Sequence, residues 1–136
     1  MVNGLVNRIL VIDSDLGFAA LTRNVLSRNG YTVDVAYDKS TALKYIQNNV
    51  PDVVILDVSI IDTNGISLCQ ELRLNNETST TPIIVFSIYD EPEMIHSYMQ
   101  AGANLFASKS NSPFELVSSV EKIISRANTQ SSTQCG

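Results

Sequence analysis

The sequence predicts an α/β fold: a (βα)5 doubly wound domain whose parallel five-stranded sheet has the order 2-1-3-4-5, with helices on both faces. Short aliphatic runs of strand length recur along the chain, and helix-length amphipathic stretches separate them. Five strand–helix pairs fit into 136 residues, the length of one domain. This alternation favours parallel strands joined by right-handed crossovers, and five units in a short chain favour that strand order.

Five runs have the length and composition of strands. Continuous Val, Ile and Leu runs are typical of parallel strands that are buried on both faces. The second run instead alternates apolar and polar residues, as a half-buried strand does. The predicted strands are Arg8–Ile12, Thr32–Ala36, Val53–Leu56, Ile83–Phe86 and Asn104–Ala107.

An amphipathic stretch follows each predicted strand. The last helix has the clearest start, because Ser112, Pro113 and Glu115 have the spacing of a capping box with proline at the first helical position. In the fourth helix, His96 and Tyr98 are interpreted as surface residues, as are Tyr45 and Tyr89 elsewhere. The predicted helices are Leu16–Ser27, Thr41–Gln47, Ile66–Leu74, Glu91–Ala101 and one that begins at Pro113.

Composition excludes several classes of function. The net charge is −5 without a cluster of Lys and Arg, which argues against direct binding of nucleic acid. No apolar run approaches the length of a membrane span and no secretory leader opens the chain, so we expect a cytoplasmic protein that does not enter the membrane. We expect one domain over residues 1–127. The small polar residues 128–136 predict a disordered tail or a truncated linker.

Polar side chains gather where the predicted strands end. In an open α/β sheet, ligands bind outside the carboxyl ends of the strands near the point where the strand order reverses. The residues at this edge are Asp13, Ser14 and Asp15 after strand 1, Asp57 after strand 3, Ser87 after strand 4, and Lys109 after strand 5.

These residue types suit phosphoryl transfer. Carboxylates that converge from neighbouring strands repel one another unless a cation lies among them, and Mg²⁺ prefers such oxygen ligands. A carboxylate can act as the nucleophile, while the Lys109 ammonium and the Ser87 hydroxyl bind phosphoryl oxygens. For Asp13 or Asp15 taken alone, capping of the first helix is the simpler interpretation.

Four sequence runs stand in order on the predicted elements. They are Ile9-Leu-Val-Ile-Asp13-Ser-Asp15, Val53-Val-Ile-Leu-Asp57-Val with Gly65 eight residues beyond the Asp, Ile83-Ile-Val-Phe-Ser87, and Ala101-Gly-Ala-Asn-Leu-Phe-Ala-Ser-Lys109. Together these runs resemble the receiver domains of response regulators in two-component signalling, which have a flavodoxin-like fold. The resemblance covers the chain from Arg8 to about Arg126.

The resemblance implies a role for each matching position. Asp57 corresponds to the phosphoacceptor, and Asp13, Asp57 and the backbone carbonyl of Ser59 correspond to ligands of Mg²⁺. Ser87 and Lys109 correspond to the residues that bind the phosphoryl group. Ser87 and Phe106 correspond to the switch pair that responds to it.

Two departures bear on the predicted site. Ser14 stands where the family usually has a second acidic residue, which predicts weaker binding of Mg²⁺; the Ser14 hydroxyl, a water or Asp15 are alternatives for the missing ligand. Ile88 stands where the family usually has Ala or Gly, and it narrows the predicted access of a phosphodonor.

The resemblance implies a phosphoacceptor signalling domain and not an enzyme in the usual sense. Such a domain is expected to catalyse its own phosphoryl transfer and dephosphorylation. Its expected partners are a sensor histidine kinase or phosphotransfer protein and a downstream effector on the face of helix 4, strand 5 and helix 5, with a homodimer as a further option. The alternative is a pseudo-receiver, an interaction domain that phosphorylation does not regulate. Ser14 and Ile88 favour that alternative, and the joint presence of Asp13, Asp57, Ser87 and Lys109 disfavours it.

Overall fold

Strands and helices alternate along the whole described chain, as predicted. The computed structural model describes residues 7–60 and 62–135, with side chains to residue 126. The bounds of the first three strands equal the predicted ones, and those of the other elements differ by at most two residues where an end was predicted. The elements are β1 Arg8–Ile12, α1 Leu16–Arg28, β2 Thr32–Ala36, α2 Lys39–Asn48, β3 Val53–Leu56, α3 Gly65–Leu74, β4 Ile83–Ser87, α4 Pro92–Gln100, β5 Leu105–Ser108 and α5 Pro113–Cys135.

The five strands form one sheet in the order β2-β1-β3-β4-β5, and every pair is parallel, which confirms the predicted topology. The register aligns the carboxyl ends of the central strands. Ile12 lies opposite Leu56, so the residues that follow them leave the sheet side by side. The sheet therefore brings Asp13 and Asp57 to one edge.

Helices cover both faces of the sheet. Side chains of α2, α3 and α4 pack with Leu10, Leu56 and Val85 on one face. Side chains of α1 and α5 pack with Val11 and Ile55 on the other. Successive strand residues point to opposite faces, which explains the unbroken apolar runs Ile9–Ile12, Val53–Leu56 and Ile83–Phe86.

Tyr98 is buried, so its interpretation as a surface residue was wrong. It is 4% exposed and belongs to the cluster between the sheet and α2–α4. The sequence carried a signal for this, because Met94, Tyr98 and Ala101 have the spacing of one helical stripe. Burial, with smaller contributions from the charges of Asp57 and Cys69, raises the pKa of Tyr98 to about 12. Tyr45 is half-buried and donates to the carboxylate of Asp34, whereas Tyr89 and His96 are exposed as expected.

We expect Gly65→Ala to destabilise the fold. A Cβ at this position, the first of α3, would lie 2.8 Å from the Cε1 and Cζ atoms of Tyr98, a distance that requires the ring or the helix to shift. Overpacking of this kind costs about 1–3 kcal/mol. Gly17→Ala is the matched control, since its Cβ would meet only Asp15 Oδ1 at 3.6 Å, and we expect it to be neutral or to stabilise by up to about 1 kcal/mol. Urea unfolding measures both; equal effects would contradict the predicted collision.

Helix α5 continues through Cys135, and the disordered tail or truncated linker over residues 128–136 stays a prediction. No Gly or Pro lies between Pro113 and Gly136 to end the helix. At its start, the Ser112 hydroxyl accepts from the backbone N–H of Phe114 at 3.2 Å. The domain boundary at 127 stays a prediction, and residues 1–6 and 136 lie outside the described residues. In the part of the chain that the structure describes, no helix has the length and apolar character needed to cross a membrane.

Candidate functional site

Asp13 and Asp57 lie next to each other where β1 and β3 end. The Asp13 N–H donates to the carbonyl of Ala36 on β2 at 3.0 Å, and the Asp57 N–H donates to the carbonyl of Ile12 on β1 at 2.9 Å. These bonds extend the sheet pairing by one residue and fix the direction of both side chains. Both residues are buried, at 2% and 7% exposure, so their charges are largely withdrawn from water.

The ammonium of Lys109 bridges the two carboxylates. Its Nζ atom lies 2.8 Å from Asp13 Oδ2 and 3.0 Å from Asp57 Oδ1, and the lysine side chain is only 5% exposed. The backbone N–H of Lys109 donates to the carbonyl of Ser87 at 2.8 Å, which places the loop after β5 against the end of β4. The structure thus brings together four of the predicted residues: Asp13, Asp57, Ser87 and Lys109.

Each remaining carboxylate oxygen accepts from a nearby backbone N–H. Asp13 Oδ1 accepts from Asp15 at 2.9 Å, and Asp57 Oδ2 accepts from Ser59 at 3.0 Å. Two buried anions therefore share a single ammonium. Burial is the main cause that raises the pKa of Asp57, and the charge of Asp13 adds to it, while Lys109 and the Ser59 N–H act in the opposite direction. The site has an excess of negative charge that a further cation would relieve.

A cavity of about 150 Å³ opens beside Asp57. Ile88 lines this cavity and is 58% exposed. The residue that is predicted to narrow the access of a phosphodonor therefore does lie at the cavity. The cavity nevertheless remains, and it can hold several waters or a small anion. Its lining residues are Asp15, Phe18, Asp57, Ser59, Ile88, Tyr89 and Lys109.

The other predicted site residues have local partners of their own. The Ser14 hydroxyl donates to the carbonyl of Tyr37 at 2.7 Å. Asp15 caps α1, where its Oδ1 accepts from the Phe18 N–H at 2.9 Å, so the simpler interpretation of this residue is confirmed. Ser87 is fully buried, and its hydroxyl oxygen accepts from the Tyr89 N–H at 2.9 Å.

Phe106 lies on β5 opposite Val85 of β4. The ring is half-buried and packs against the cluster that contains Tyr98. It therefore occupies the region between β4 and α4, two residues along the sheet from the strand end where Ser87 lies opposite Ser108. A movement of Ser87 or of α4 would change the packing around this ring.

Sequence reasoning missed two aromatic residues at the site. Lys109 Nζ lies 4.4 Å from the ring centroid of Phe18 and 5.8 Å from that of Phe86. The two rings meet edge to face, with centroids 5.7 Å apart and planes at 67°. Their positions in the sequence were the available signal. Phe18 lies in the first turn of α1, and Phe86 directly precedes Ser87, so both could have been placed near the edge where the site lies.

Sequence reasoning also missed a contact of the loop that follows Asp57. Asp62 accepts from the backbone N–H groups of Lys39 at 2.7 Å and Ser40 at 3.2 Å, at the start of α2. These bonds favour the ionised form and hold the pKa of Asp62 below its ordinary value. The loop after the predicted phosphoacceptor is thereby tied to a helix N-terminus.

The residues present fit Mg²⁺. Among the described residues, no three acidic, histidine or cysteine side chains are placed to hold a metal together. Mg²⁺ commonly binds through one or two carboxylates and keeps several waters, so three such side chains are not required. Asp13 and Asp57 supply two anionic groups with an unbalanced charge, and Asp15 and Ser59 line the adjoining cavity.

Comparison with known proteins identifies similar sequences and structures. The family model described as "Response regulator receiver domain" matches residues 9–121. A response regulator MprA of Mycobacterium sp. (strain KMS) is 34% identical over 119 residues, which cover 88% of this chain and 51% of that protein. The chain thus spans about half the length of the curated relatives it matches.

Two solved structures have the same fold as this chain and resemble it to a similar degree. One is a two-component response regulator from Clostridium difficile, 28% identical, with a TM-score of 0.84 over 90% of this chain and 98% of that one. The other is a putative response regulator from Chloroflexus aurantiacus, 31% identical, with a TM-score of 0.84 over 89% of this chain and 99% of that one.

Proposed function

This chain belongs to the family of response regulator receiver domains, and from that premise we propose that it is a phosphorylation-dependent switch whose acceptor is Asp57. Its phosphodonor is a sensor histidine kinase or a phosphotransfer protein. The observation that carries the proposal is the Lys109 ammonium held between the buried carboxylates of Asp13 and Asp57, beside an open cavity.

The chain's residues divide the chemistry among them. A carboxylate oxygen of Asp57 attacks the phosphorus, an O–P bond forms, and the N–P bond to the donor imidazole breaks as that ring takes up a proton. The Lys109 ammonium and the Ser87 hydroxyl then bind oxygens of the transferred group. Asp13, Asp57 and the backbone carbonyl of Ser59 would hold Mg²⁺, which would supply positive charge to offset that of the phosphoryl oxygens. The chain is in this respect a phosphoacceptor that assists its own phosphorylation and dephosphorylation.

The output is a change of surface. A phosphoryl group adds charge and three acceptor oxygens, and the Ser87 hydroxyl turns toward it from its present contact with the Tyr89 N–H. Phe106 then packs into the space that Ser87 leaves, and the face of α4, β5 and α5 changes its affinity for an effector or a second copy of the chain. We propose a cytoplasmic location, where such partners occur.

A pseudo-receiver is the second candidate, and two observations favour it. The Ser14 hydroxyl is engaged with the carbonyl of Tyr37, and Ile88 lies in the lining of the cavity beside Asp57. In this alternative the fold binds a partner independently of phosphate. The two candidate functions differ in whether a phosphoryl mimic at Asp57 alters the face of α4, β5 and α5.

NMR spectra recorded with and without Mg²⁺ and beryllofluoride test the proposal. We expect shifts at Asp57 and also at Phe106, His96 and Tyr98, because the ring of Phe106 packs against the cluster that joins β4 to α4. Changes confined to the loops around Asp57 would show that the site is uncoupled from the face. Spectra without any change would favour the pseudo-receiver.

We expect Ser14→Asp to tighten the binding of Mg²⁺ by about tenfold or more. A second carboxylate beside Asp13 adds direct Coulomb attraction in a partly buried site, which outweighs the lost hydrogen bond to Tyr37. Titration of Mg²⁺ followed by NMR or fluorescence measures the change, and Ser118→Asp, at an exposed position of α5, controls for added charge. An unchanged affinity would mean that Asp15 or a water already supplies the ligand.

A further inference from the structure

The ammonium of Lys109 has a second set of contacts besides its two carboxylate partners. Its Nζ atom lies 4.4 Å from the centroid of the Phe18 ring, within the range of a cation–π contact. Phe86 contributes a second face at 5.8 Å and packs edge to face against Phe18. The lysine ammonium therefore contacts both the two carboxylates and the electron-rich ring of Phe18, with Phe86 close by.

Local structure fixes the position of the Phe18 ring. Its backbone N–H donates to the capping carboxylate of Asp15 at 2.9 Å, and its carbonyl accepts from the Thr22 hydroxyl at 2.9 Å. The ring itself packs against the core on the α1 and α5 face. The hydrogen bonds thus fix the backbone of Phe18 in the first turn of α1, and the core contact fixes its ring.

The Phe18 ring also separates two cavities. A second cavity, of about 220 Å³, lies between α1 and α5 and is mostly lined by apolar side chains such as Val25 and Leu116. Phe18 and Lys109 are the two residues that line both this cavity and the one beside Asp57. If the ring were absent, the flexible lysine stem would gain space on the side away from the carboxylates.

We propose that Phe18 is a positioning residue for the reaction, which holds the Lys109 ammonium at the oxygens of the acceptor through the face of its ring. When Asp57 carries a phosphoryl group or its mimic, the ammonium must leave a carboxylate oxygen for a phosphoryl oxygen. The ring face stabilises the cation along this path without competing for it as a third carboxylate would. This inference rests on the proposed function of Asp57.

Three substitutions test it. Phe18→Leu removes the ring and keeps an apolar side chain, Phe18→Tyr keeps an aromatic face, and Phe114→Leu repeats the first change on α5 at a residue that is 80% exposed. In the native protein we expect the ε-methylene protons of Lys109 to be shifted upfield by the ring. The shift should disappear in Phe18→Leu and persist in the other two variants; an identical Lys109 signal in native and Phe18→Leu protein would overturn the contact.

The affinity for beryllofluoride in the presence of Mg²⁺ tests whether Phe18 helps Lys109 to bind a phosphoryl mimic at Asp57. We expect Phe18→Leu to weaken it about tenfold, which corresponds to about 1.4 kcal/mol, while Phe18→Tyr and Phe114→Leu remain near native. Mono-, di- and trifluorinated phenylalanine at position 18 should weaken it stepwise, because fluorine withdraws electron density while nearly preserving ring shape. An equal affinity across this series would overturn the electrostatic role.

The two hypotheses fail in different ways. If native protein does not bind beryllofluoride, the proposed function of Asp57 fails, whatever the lysine signals show. The upfield shift of Lys109, measured without any ligand, then decides by itself whether Phe18 positions the ammonium. If native protein binds beryllofluoride and Phe18→Leu binds it equally well, the proposed function stands and the positioning role is overturned.

Discussion

Asp57→Ala is expected to abolish phosphorylation. After incubation of the native protein with Mg²⁺ and acetyl phosphate, intact-mass measurement should show one added phosphoryl group, and the variant should show none. The reason is placement: Asp57 is the carboxylate that adjoins both Lys109 and the open cavity at the centre of the sheet edge. Asp13 also contacts Lys109, but it does not line that cavity.

Asp90→Ala is the matched control for this experiment. Asp90 is an exposed acid in the loop between β4 and α4. Its replacement by alanine removes one negative charge from this loop and leaves Asp13 and Asp57 in place. We expect this variant to be labelled like the native protein. Persistent labelling of Asp57→Ala would assign the phosphoryl group to another residue and overturn the proposed mechanism.

Lys109→Met is expected to lower the free energy of unfolding by about 3 kcal/mol or more at neutral pH. Removing one partner of a buried ion pair costs about 3–5 kcal/mol because the other charge stays buried without compensation. Here one substitution leaves two such charges, Asp13 and Asp57, side by side. Methionine keeps the apolar stem that packs beneath Phe18, so urea unfolding reports mainly the loss of charge.

The loss of stability in Lys109→Met should diminish as the pH falls. The pKa of Asp57 is already raised in the folded protein by burial and by Asp13, and without the lysine it rises further. A raised folded-state pKa means that ionisation of this carboxyl opposes folding, so stability decreases as pH rises from the unfolded pKa to the folded one. Acid removes that penalty by protonating the carboxyl.

A second substitution provides the control for this electrostatic explanation. Asp13→Asn in the Lys109→Met background removes one of the two anions, and we expect it to restore part of the lost stability. In the native background the same substitution should gain less stability, because the Lys109 ammonium already offsets the repulsion between the two carboxylates and keeps Asp57 as a partner at 3.0 Å. If the two backgrounds gain stability equally, repulsion between the carboxylates is not the cause.

Local pattern in the sequence determined the fold. Aliphatic runs buried on both faces predict parallel strands, and the residues that follow β1 and β3 must then share an edge. This reasoning placed Asp13, Asp57, Ser87 and Lys109 at one site before any coordinates, since strand ends are set by chain order and topology. It also predicted the helix caps at Asp15 and Ser112, because capping depends on residues that are near in sequence.

Only the tertiary structure decided how the side chains at that edge pair. The distance between Lys109 and its carboxylates, the rings of Phe18 and Phe86 beside its ammonium, and the bond from Ser14 to Tyr37 join residues that lie far apart in the chain. The burial of Tyr98 against Gly65 likewise depends on how α4 packs on α3. Periodicity gives the face on which a side chain lies, but its direction and partners depend on packing between elements, which no local pattern encodes.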